Sequence, residues 1–164
     1  MAIKEQYALL LGSDLGDRAS NLELAVNQIA EKIGTVLKTS SVLETEPWGF
    51  VSDTKFLNQA ILVESVLKPL DVLEGIQCIE KSIGRTRTTD QWSSRIIDID
   101  ILCAEDAIFH TSELTIPHKL LHQRTFALAP LCEIVDWQHP LLKINYAQIL
   151  ANLVEETTES VLNN

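Results

Sequence analysis

Two aspartates separated by one residue, Asp98 and Asp100, are the first candidates for chemistry in this chain of 164 residues. They alternate with isoleucines at 97, 99 and 101, a two-residue period that is typical of a strand with one polar and one apolar face. Both carboxylates should therefore point to the same side, about 6–7 Å apart along the chain, while the isoleucines enter the core. Mg²⁺ accepts one or two protein carboxylates and completes its octahedron with water and phosphate oxygens. The pair predicts a magnesium site, and the alternative is a solvated acidic face on an edge strand.

A basic segment comes directly before this pair, although the net charge of the whole chain is −10. Guanidinium groups keep their charge and match phosphate oxygens, and phosphoryl transfer needs cations and metal around the moving group. The segment predicts an anion site beside the metal site, with a solvated basic loop as the alternative. Trp92 in the same segment could close over a ligand or anchor its own loop. The cations are Lys81, Arg85, Arg87 and Arg95, against one acid, Asp90.

Phe56 and Asn58 are the candidates for holding an organic acceptor. By the same period they share one face of a strand, so a flat apolar ring lies beside an amide that both donates and accepts hydrogen bonds. This pair suits a planar heterocycle, although a core phenylalanine and an edge asparagine are the commoner case.

His118 and Arg124 complete the polar candidates. The imidazole of His118 could bond a phosphate oxygen or carry a proton near neutral pH. Arg124 could reach the same phosphates or cap a surface. His118 and His122 stand four residues apart, which on a helix would suit zinc, but no third soft ligand has a suitable spacing. A zinc site is therefore the weaker interpretation.

The composition argues against several classes of protein. A net charge of −10 repels nucleic acid phosphates. The longest apolar runs fall far short of the roughly 20 residues that a membrane span needs, and residues 1–6 are too polar for a signal peptide. The three cysteines show no C-x-x-C spacing and are predicted to be reduced core residues. We expect a cytoplasmic protein that acts on small molecules and has no obligate protein partner.

Hydrophobic periodicity predicts one domain over residues 1–164. Strands and helices alternate in the order βαββαβ and are followed by extra elements, which indicates an α+β sandwich with an antiparallel sheet. The predicted strands are 7–11, 36–45, 56–66, 97–102, 108–109 and 114–116, the predicted helices are 22–33, 69–83, 126–135 and 146–154, and residues 155–164 are predicted to be a fraying tail.

Together these residues resemble a known family, 6-hydroxymethyl-7,8-dihydropterin pyrophosphokinase of folate biosynthesis, abbreviated HPPK. The resemblance extends over nearly the whole chain. Each motif is weak by itself, but six of them in register are specific. They are Gly12-Ser13-Asp14-Leu15-Gly16, Thr45-x-Pro47-x-Gly49, Phe56-Leu57-Asn58, Glu80-x-x-x-Gly84-Arg85-x-Arg87, Arg95-x-x-Asp98-x-Asp100, and Pro117-His118 with Arg124 and Phe126.

The resemblance implies a ferredoxin-like fold and transfer of pyrophosphate from ATP to the hydroxymethyl oxygen of the pterin, with release of AMP. ATP would be the co-substrate, and two Mg²⁺ ions would be the cofactor. By resemblance, the catalytic residues would be Arg85, Arg95, Asp98 and Asp100, and the two aspartates would bind both metal ions. The pterin would lie between Phe56 and Phe126, with Asn58 and the backbone of Thr45 at its edge and Trp92 over the closed site. By the same resemblance, the ATP contacts would come from Arg87, Ile101, Thr115, His118 and Arg124.

Several positions depart from the family pattern. Asp14 stands where asparagine is usual, and Thr88 and Glu113 stand where cations are common. The stretch 91–94 lacks the usual basic residue and Gly-Pro-like pair. Fewer charges would then hold ATP, although each exposed contact is worth under about 1 kcal/mol. We expect an active enzyme with altered nucleotide affinity.

Two other functions fit part of the pattern. A metal-dependent phosphohydrolase would use the same aspartates and arginines with water as acceptor, but it needs no stacking platform such as Phe56 and Phe126. A ferredoxin-like module that only senses a nucleotide would not need Asp98 and Asp100, and it would bind ATP without producing AMP.

Overall fold

The structure is a computed structural model that describes residues 2–84 and 94–162. Within these residues no helix is long and apolar enough to span a membrane. In chain order the elements are β1 (Glu5–Ser13), α1 (Arg18–Lys32), β2 (Thr35–Thr39), β3 (Leu43–Thr45), β4 (Phe56–Ser65), α2 (Pro69–Ile83), β5 (Asp98–Ala104), β6 (Phe109–His110), β7 (Thr115–Ile116), a 3₁₀ turn (Leu121–Gln123), α3 (Thr125–Ile134) and α4 (Tyr146–Leu162).

Five of the strands form an antiparallel sheet in the order β2-β4-β1-β5, with β3 also paired to β4. β1 lies at its centre, because it pairs with β4 on one side and with β5 on the other. Side chains alternate across β1, so Leu9 and Leu11 face one side of the sheet and Ala8 and Leu10 face the other. The predicted α+β class with an antiparallel sheet is confirmed.

Each face of the sheet is covered by helices. α1 and α2 pack on the face that carries Leu9 and Leu11, and Ile29 and Ile79 are fully buried there. α3 and α4 pack on the opposite face with Ala8 and Leu10, where Leu128 is fully buried. Burial of apolar surface on both faces is the main stabilising term for such a sandwich.

α2 carries the chain to the start of the basic segment. Pro69 occupies the first turn, where its missing N–H breaks no helical bond, and Gly84 ends the helix. Residues 85–93 follow, so the predictions for Arg85, Arg87 and Trp92 lie outside the described residues.

Three details of the sequence prediction need correction. The predicted strand 36–45 is divided into β2 and β3. At the break the Ser40 N–H donates to the Ala60 carbonyl at 2.8 Å, while the Ser40 hydroxyl accepts the N–H of Ala60 at 2.9 Å. Residues 155–162, predicted to fray, continue α4 with exposed side chains. Cys78 is exposed on α2, whereas Cys103 is buried as predicted.

Candidate active site

Three neighbouring strands place the polar candidates in one row on the face covered by α3 and α4. Gly12 of β1 pairs with Asn58 of β4 on one side and with Asp98 of β5 on the other, and Leu10 pairs with Asp100. A Cβ on Gly12 would lie 3.2 Å from the Asn58 Oδ1 and 3.5 Å from the Phe56 ring. The glycine therefore leaves open space between the amide and the carboxylates.

A pocket opens over this row. It combines a flat apolar and amide end with an acidic and cationic end, which suits a planar molecule joined to phosphates. Its lining is Leu10, Gly12, Thr45, Glu46, Trp48, Phe50, Phe56, Asn58, Arg95, Asp98, Asp100, His118, Lys119, Leu120, Arg124 and Phe126.

Burial and the neighbouring carboxylate of Asp98 disfavour a negative charge on Asp100. Burial, followed by the charge of Asp98, raises the pKa of Asp100 to about 7, and the cations Arg124 and Arg95 only partly oppose that shift. Two carboxylates on one strand face repel each other in a medium of low dielectric. A divalent cation between them would relieve this cost, which favours the predicted metal site over the alternative of a simple solvated acidic face.

Arg95 forms an ion pair with Asp98. Its Nη1 lies 2.9 Å from the Asp98 Oδ1, and the two side chains are 16% and 25% exposed. Both residues line the pocket, so the Arg95 guanidinium lies near any ligand that binds the carboxylates.

Asp14 fixes the backbone that carries Arg95. The Asp14 carboxylate is buried and accepts the Arg95 N–H, while the Asp14 N–H donates to the Arg95 carbonyl at 3.1 Å. The other carboxylate oxygen accepts the Thr54 hydroxyl at 3.2 Å. The Asp14 side chain thus joins the backbone of Arg95 to the loop between β3 and β4.

Glu80 supports the aspartate strand from the opposite face of the sheet. It is 4% exposed on α2, and its Oε1 accepts the N–H of Ile99 at 2.8 Å. Because Ile99 lies between Asp98 and Asp100, this bond holds the backbone from which both carboxylates project.

His118 is neutral and presents a donor. Burial, followed by the charge of Arg124, lowers the pKa of His118 to about 4. Its Nδ1 accepts the N–H of Leu120 at 3.1 Å, so in the neutral ring the proton is on Nε2. The backbone N–H of His118 donates to the Leu102 carbonyl at 2.7 Å, which fixes this residue beside β5. A neutral Nε2–H can bond a phosphate oxygen without a change of protonation.

The amide end of the pocket is preorganised. Asn58 is 3% exposed, and its Nδ2 donates to the Thr45 hydroxyl at 2.6 Å. Phe50 packs edge-on against Phe56, with ring centroids 6.1 Å apart at 85°. These contacts hold the Asn58 amide and the Phe56 ring in fixed orientations before a ligand binds.

The structure brings together most of the residues that the sequence predicts. Ile101 is an exception, because its side chain is 4% exposed in the core against α1 and α2, on the face opposite Asp100. Thr115 is another, because it lies on β7 with its hydroxyl 3.1 Å from the His110 Nδ1 and does not line the pocket. The predicted residues that line the pocket are Thr45, Phe56, Asn58, Arg95, Asp98, Asp100, His118, Arg124 and Phe126.

Several residues of the site were not predicted from the sequence. Lys119 adds a cation to the phosphate end, and its position next to His118 could have indicated it. The hydrogen bond between Asp14 and Arg95 joins residues that are 81 positions apart, and the bond between Glu80 and Ile99 spans 19 positions. No local sequence pattern indicates such contacts. Trp48 and Phe50 lie in a loop whose Pro and Gly residues indicate only a turn.

Replacing Asp14 with alanine should destabilise the protein by about 1–3 kcal/mol, because the Arg95 N–H loses its acceptor. Turnover should fall as well, since Arg95 would no longer be held beside Asp98. Asp14→Asn is the matched control: it keeps a carbonyl oxygen for the Arg95 N–H and can donate to the Thr54 hydroxyl. Thermal unfolding of both variants checks this, and equal stability of Asp14→Ala and the parent protein would contradict it.

Known proteins are similar to this chain over most of its length. A family model described as 7,8-dihydro-6-hydroxymethylpterin-pyrophosphokinase (HPPK) matches residues 8–136. The chain belongs to the HPPK family. A relative named 2-amino-4-hydroxy-6-hydroxymethyldihydropteridine pyrophosphokinase, from Porphyromonas gingivalis, is 41% identical over 137 residues, which are 80% of this chain and 92% of the relative. An HPPK relative of the same name from Bacillus subtilis is 40% identical over 127 residues, 77% of this chain and 75% of the relative.

Solved HPPK structures share the fold. This chain is similar to the wild-type HPPK-DHPS of Plasmodium falciparum with STZ-DHP, with a TM-score of 0.78 and 18% identity over 96% of this chain. A triple mutant of that HPPK-DHPS with SDX-DHP gives a TM-score of 0.79 and 19% identity over 98% of this chain. The matched parts are 45% and 46% of those chains, so the likeness concerns less than half of each.

Proposed function

We propose that this protein transfers pyrophosphate from ATP to the hydroxymethyl oxygen of 6-hydroxymethyl-7,8-dihydropterin, giving the pterin diphosphate and AMP in folate biosynthesis. Membership of the HPPK family supports this reaction. The observation in the structure that carries this proposal is the pocket over Gly12. One end of the pocket offers flat apolar rings and an amide, and the other end offers carboxylates and cations.

Asp98 and Asp100 would hold Mg²⁺, and we propose two ions. The raised pKa of Asp100 supports this role, because burial and the charge of Asp98 disfavour its negative charge more than Arg124 and Arg95 favour it. Within the described residues no group of three or more His, Cys, Asp or Glu side chains could hold a metal ion, so water and phosphate oxygens would supply the remaining ligands. When bound, the metal would neutralise the phosphate oxygens and orient the triphosphate.

The surrounding cations would bind the triphosphate. Arg95 and Arg124 provide planar donors that match phosphate oxygens, and Lys119 adds a mobile positive charge. The neutral His118 would donate from Nε2, as its bond from Leu120 indicates. These groups would stabilise the charge of the moving pyrophosphoryl group, while attack by the pterin alcohol on the β phosphorus would break its bond to the α phosphate and release AMP.

The opposite end would take the pterin ring. Asn58 presents an amide to the ring edge, with its orientation set by Thr45. Phe56 and Phe126 offer apolar faces for stacking, which favours an organic acceptor over water. This asymmetry supports a transferase over the alternative phosphohydrolase.

Incubation with ATP, Mg²⁺ and the reduced hydroxymethylpterin tests the proposal. We expect AMP to appear only when the pterin is present. Formation of ADP or inorganic phosphate without the pterin would instead support a phosphohydrolase, and ATP binding without turnover would support a sensing module.

Some roles remain predictions from the resemblance. They include catalytic assistance by Arg85, an ATP contact by Arg87 and closure by Trp92. A cytoplasmic location and the lack of an obligate protein partner also stay predictions.

A further inference from the structure

Trp48 lies in the loop between β3 and β4 and contacts a residue of the phosphate end of the pocket. We propose that Trp48 is a positioning residue for ATP, which acts by stacking its indole on the guanidinium of Arg124. This inference rests on the proposed function, since it assigns a phosphate-binding role to Arg124.

The stack is defined by three distances. The Cζ of Arg124 lies 4.6 Å from the Trp48 ring centroid and 5.6 Å from that of Phe126. The Trp48 and Phe126 rings are 6.3 Å apart and tilted by 57°. The guanidinium therefore lies beside two aromatic rings, and Trp48 is the nearer one.

Arg124 is a buried cation, and an aromatic ring beside its guanidinium would stabilise it there. The residue is 7% exposed, and burial lowers the pKa of its guanidinium, while the charges of Asp100 and Asp98 oppose that shift. The negative face of an indole stabilises a cation that has lost part of its water shell. The contact between Trp48 and Arg124 should therefore contribute more stabilising free energy here than it would on an exposed surface.

Stacking also preserves the chemistry that a phosphate needs. A guanidinium carries its N–H donors in its own plane, so contact with a ring face uses none of them. An additional ion pair would occupy such donors. A stack would therefore restrict the orientation of Arg124 without using its in-plane N–H donors.

The loop is built to hold the indole in this place. Gly49, directly after Trp48, has a φ of +86°, a conformation that a side chain would strain. The far end of the loop is tied down, because Arg18 Nη1 donates to the Lys55 carbonyl at 2.7 Å and Thr54 donates to Asp14. Trp48 is 37% exposed, so its ring is partly available to solvent while it covers the buried guanidinium.

The test compares two aromatic residues of one loop. Trp48→Leu removes the aromatic face but keeps an apolar side chain, and Trp48→Phe keeps a smaller aromatic face. Phe50→Leu is the matched control, because Phe50 packs on Phe56 at the pterin end. Calorimetric titration with Mg²⁺ and α,β-methylene ATP, in which the bond to be broken is blocked, measures nucleotide affinity without turnover.

We expect Trp48→Leu to raise the Kd of the ATP analogue about 3- to 30-fold while changing the Kd of the pterin less than about twofold. Trp48→Phe should recover most of this loss, and Phe50→Leu should weaken the pterin more than the nucleotide. In an Arg124→Met background, Trp48→Leu should have little further effect on the nucleotide.

Three results would overturn the proposal. They are an unchanged nucleotide Kd in Trp48→Leu, an equal loss for nucleotide and pterin, and a full loss that persists in the Arg124→Met background. If Arg124→Met fails to fold, the Trp48→Phe variant still tests stacking, since a nucleotide Kd as weak as that of Trp48→Leu would contradict it. Absence of pterin-dependent AMP in the parent protein would instead count against the proposed function, because the titration is independent of turnover.

Discussion

Replacing Asp100 with asparagine should abolish turnover and at the same time raise the thermal stability of the metal-free protein. If Asp98 and Asp100 hold the metal as proposed, loss of one carboxylate should remove several kcal/mol of transition-state stabilisation, which corresponds to about 10³-fold or more in rate. Stability should rise because the folded state penalises the charge of Asp100, whose pKa is raised to about 7 by burial and by Asp98. Activity and stability are thus expected to change in opposite directions.

The sign of the pH dependence follows from the direction of the shift. Below the unfolded pKa of an aspartate, about 4, the carboxyl is neutral in both states and costs nothing. As pH rises toward 7, the unfolded chain releases its proton first, so the parent protein loses stability relative to Asp100→Asn. The advantage of the variant should be larger at pH 8 than at pH 5.

Thermal unfolding at the two pH values, with a chelator present, measures this difference. A gain of several degrees is expected at pH 8, since about 1 kcal/mol shifts Tm by roughly 2–4 °C in a chain of this size. Asp106→Asn is the control: this exposed aspartate has a φ of +50°, which asparagine tolerates, and neither turnover nor its pH dependence should change. A destabilised Asp100→Asn variant with normal turnover would refute both parts.

Replacing Arg95 with alanine should lower kcat by about 10²- to 10³-fold and change the affinity for the pterin less than about threefold. Arg95 is paired with Asp98 at the proposed phosphate end and would contact the charge that moves, whereas Asn58 and Thr45 would hold the other substrate. Removal of a single charge-stabilising donor from an active site typically has an effect of this size. The loss should therefore appear in kcat.

Arg95→Lys separates charge from geometry. It keeps the positive charge beside Asp98 but loses the planar fork, so it should recover only part of the rate. Steady-state kinetics together with a pterin titration distinguish the two effects. Equal losses in kcat and pterin affinity would argue that Arg95 supports the fold of the pocket and has no part in the transition state.

The aspartate strand was predictable because its signal is local. Alternation of Asp98 and Asp100 with buried isoleucines sets the face of β5 to which both carboxylates belong, and the same rule places Phe56 beside Asn58. The pairing of both strands with Gly12 is what makes these local patterns into one site. The motif order along the chain indicated that assembly only through the family resemblance.

Contacts between distant segments were not predictable from periodicity. Asp14 reads as one polar residue of a turn, yet it holds the Arg95 backbone and Thr54. Glu80 lies among the polar positions of an amphipathic helix pattern, yet it is buried against β5. In both cases a buried backbone N–H needed an acceptor, and the fold alone determines which side chain is near enough.

Two element boundaries show the same limit. The segment from Val36 to Thr45 is rich in apolar and β-branched residues, but the hydrogen bonds of Ser40 with Ala60 interrupt the strand. The end of α4 gives little periodic signal, because the side chains from Glu155 to Leu162 are exposed and carry no apolar stripe into the core. Hydrophobic periodicity predicts a helix or a strand only where that element buries one of its faces.

Isotope tracing tests the central claim most directly. ATP labelled at its β phosphate is incubated with the protein, Mg²⁺ and the hydroxymethylpterin, and the products are separated. Transfer of pyrophosphate predicts that the β label moves to the pterin in amounts equal to the AMP formed, while an α label stays in AMP. Recovery of the β label in ADP, or in free phosphate or pyrophosphate with an unchanged pterin, would contradict the account.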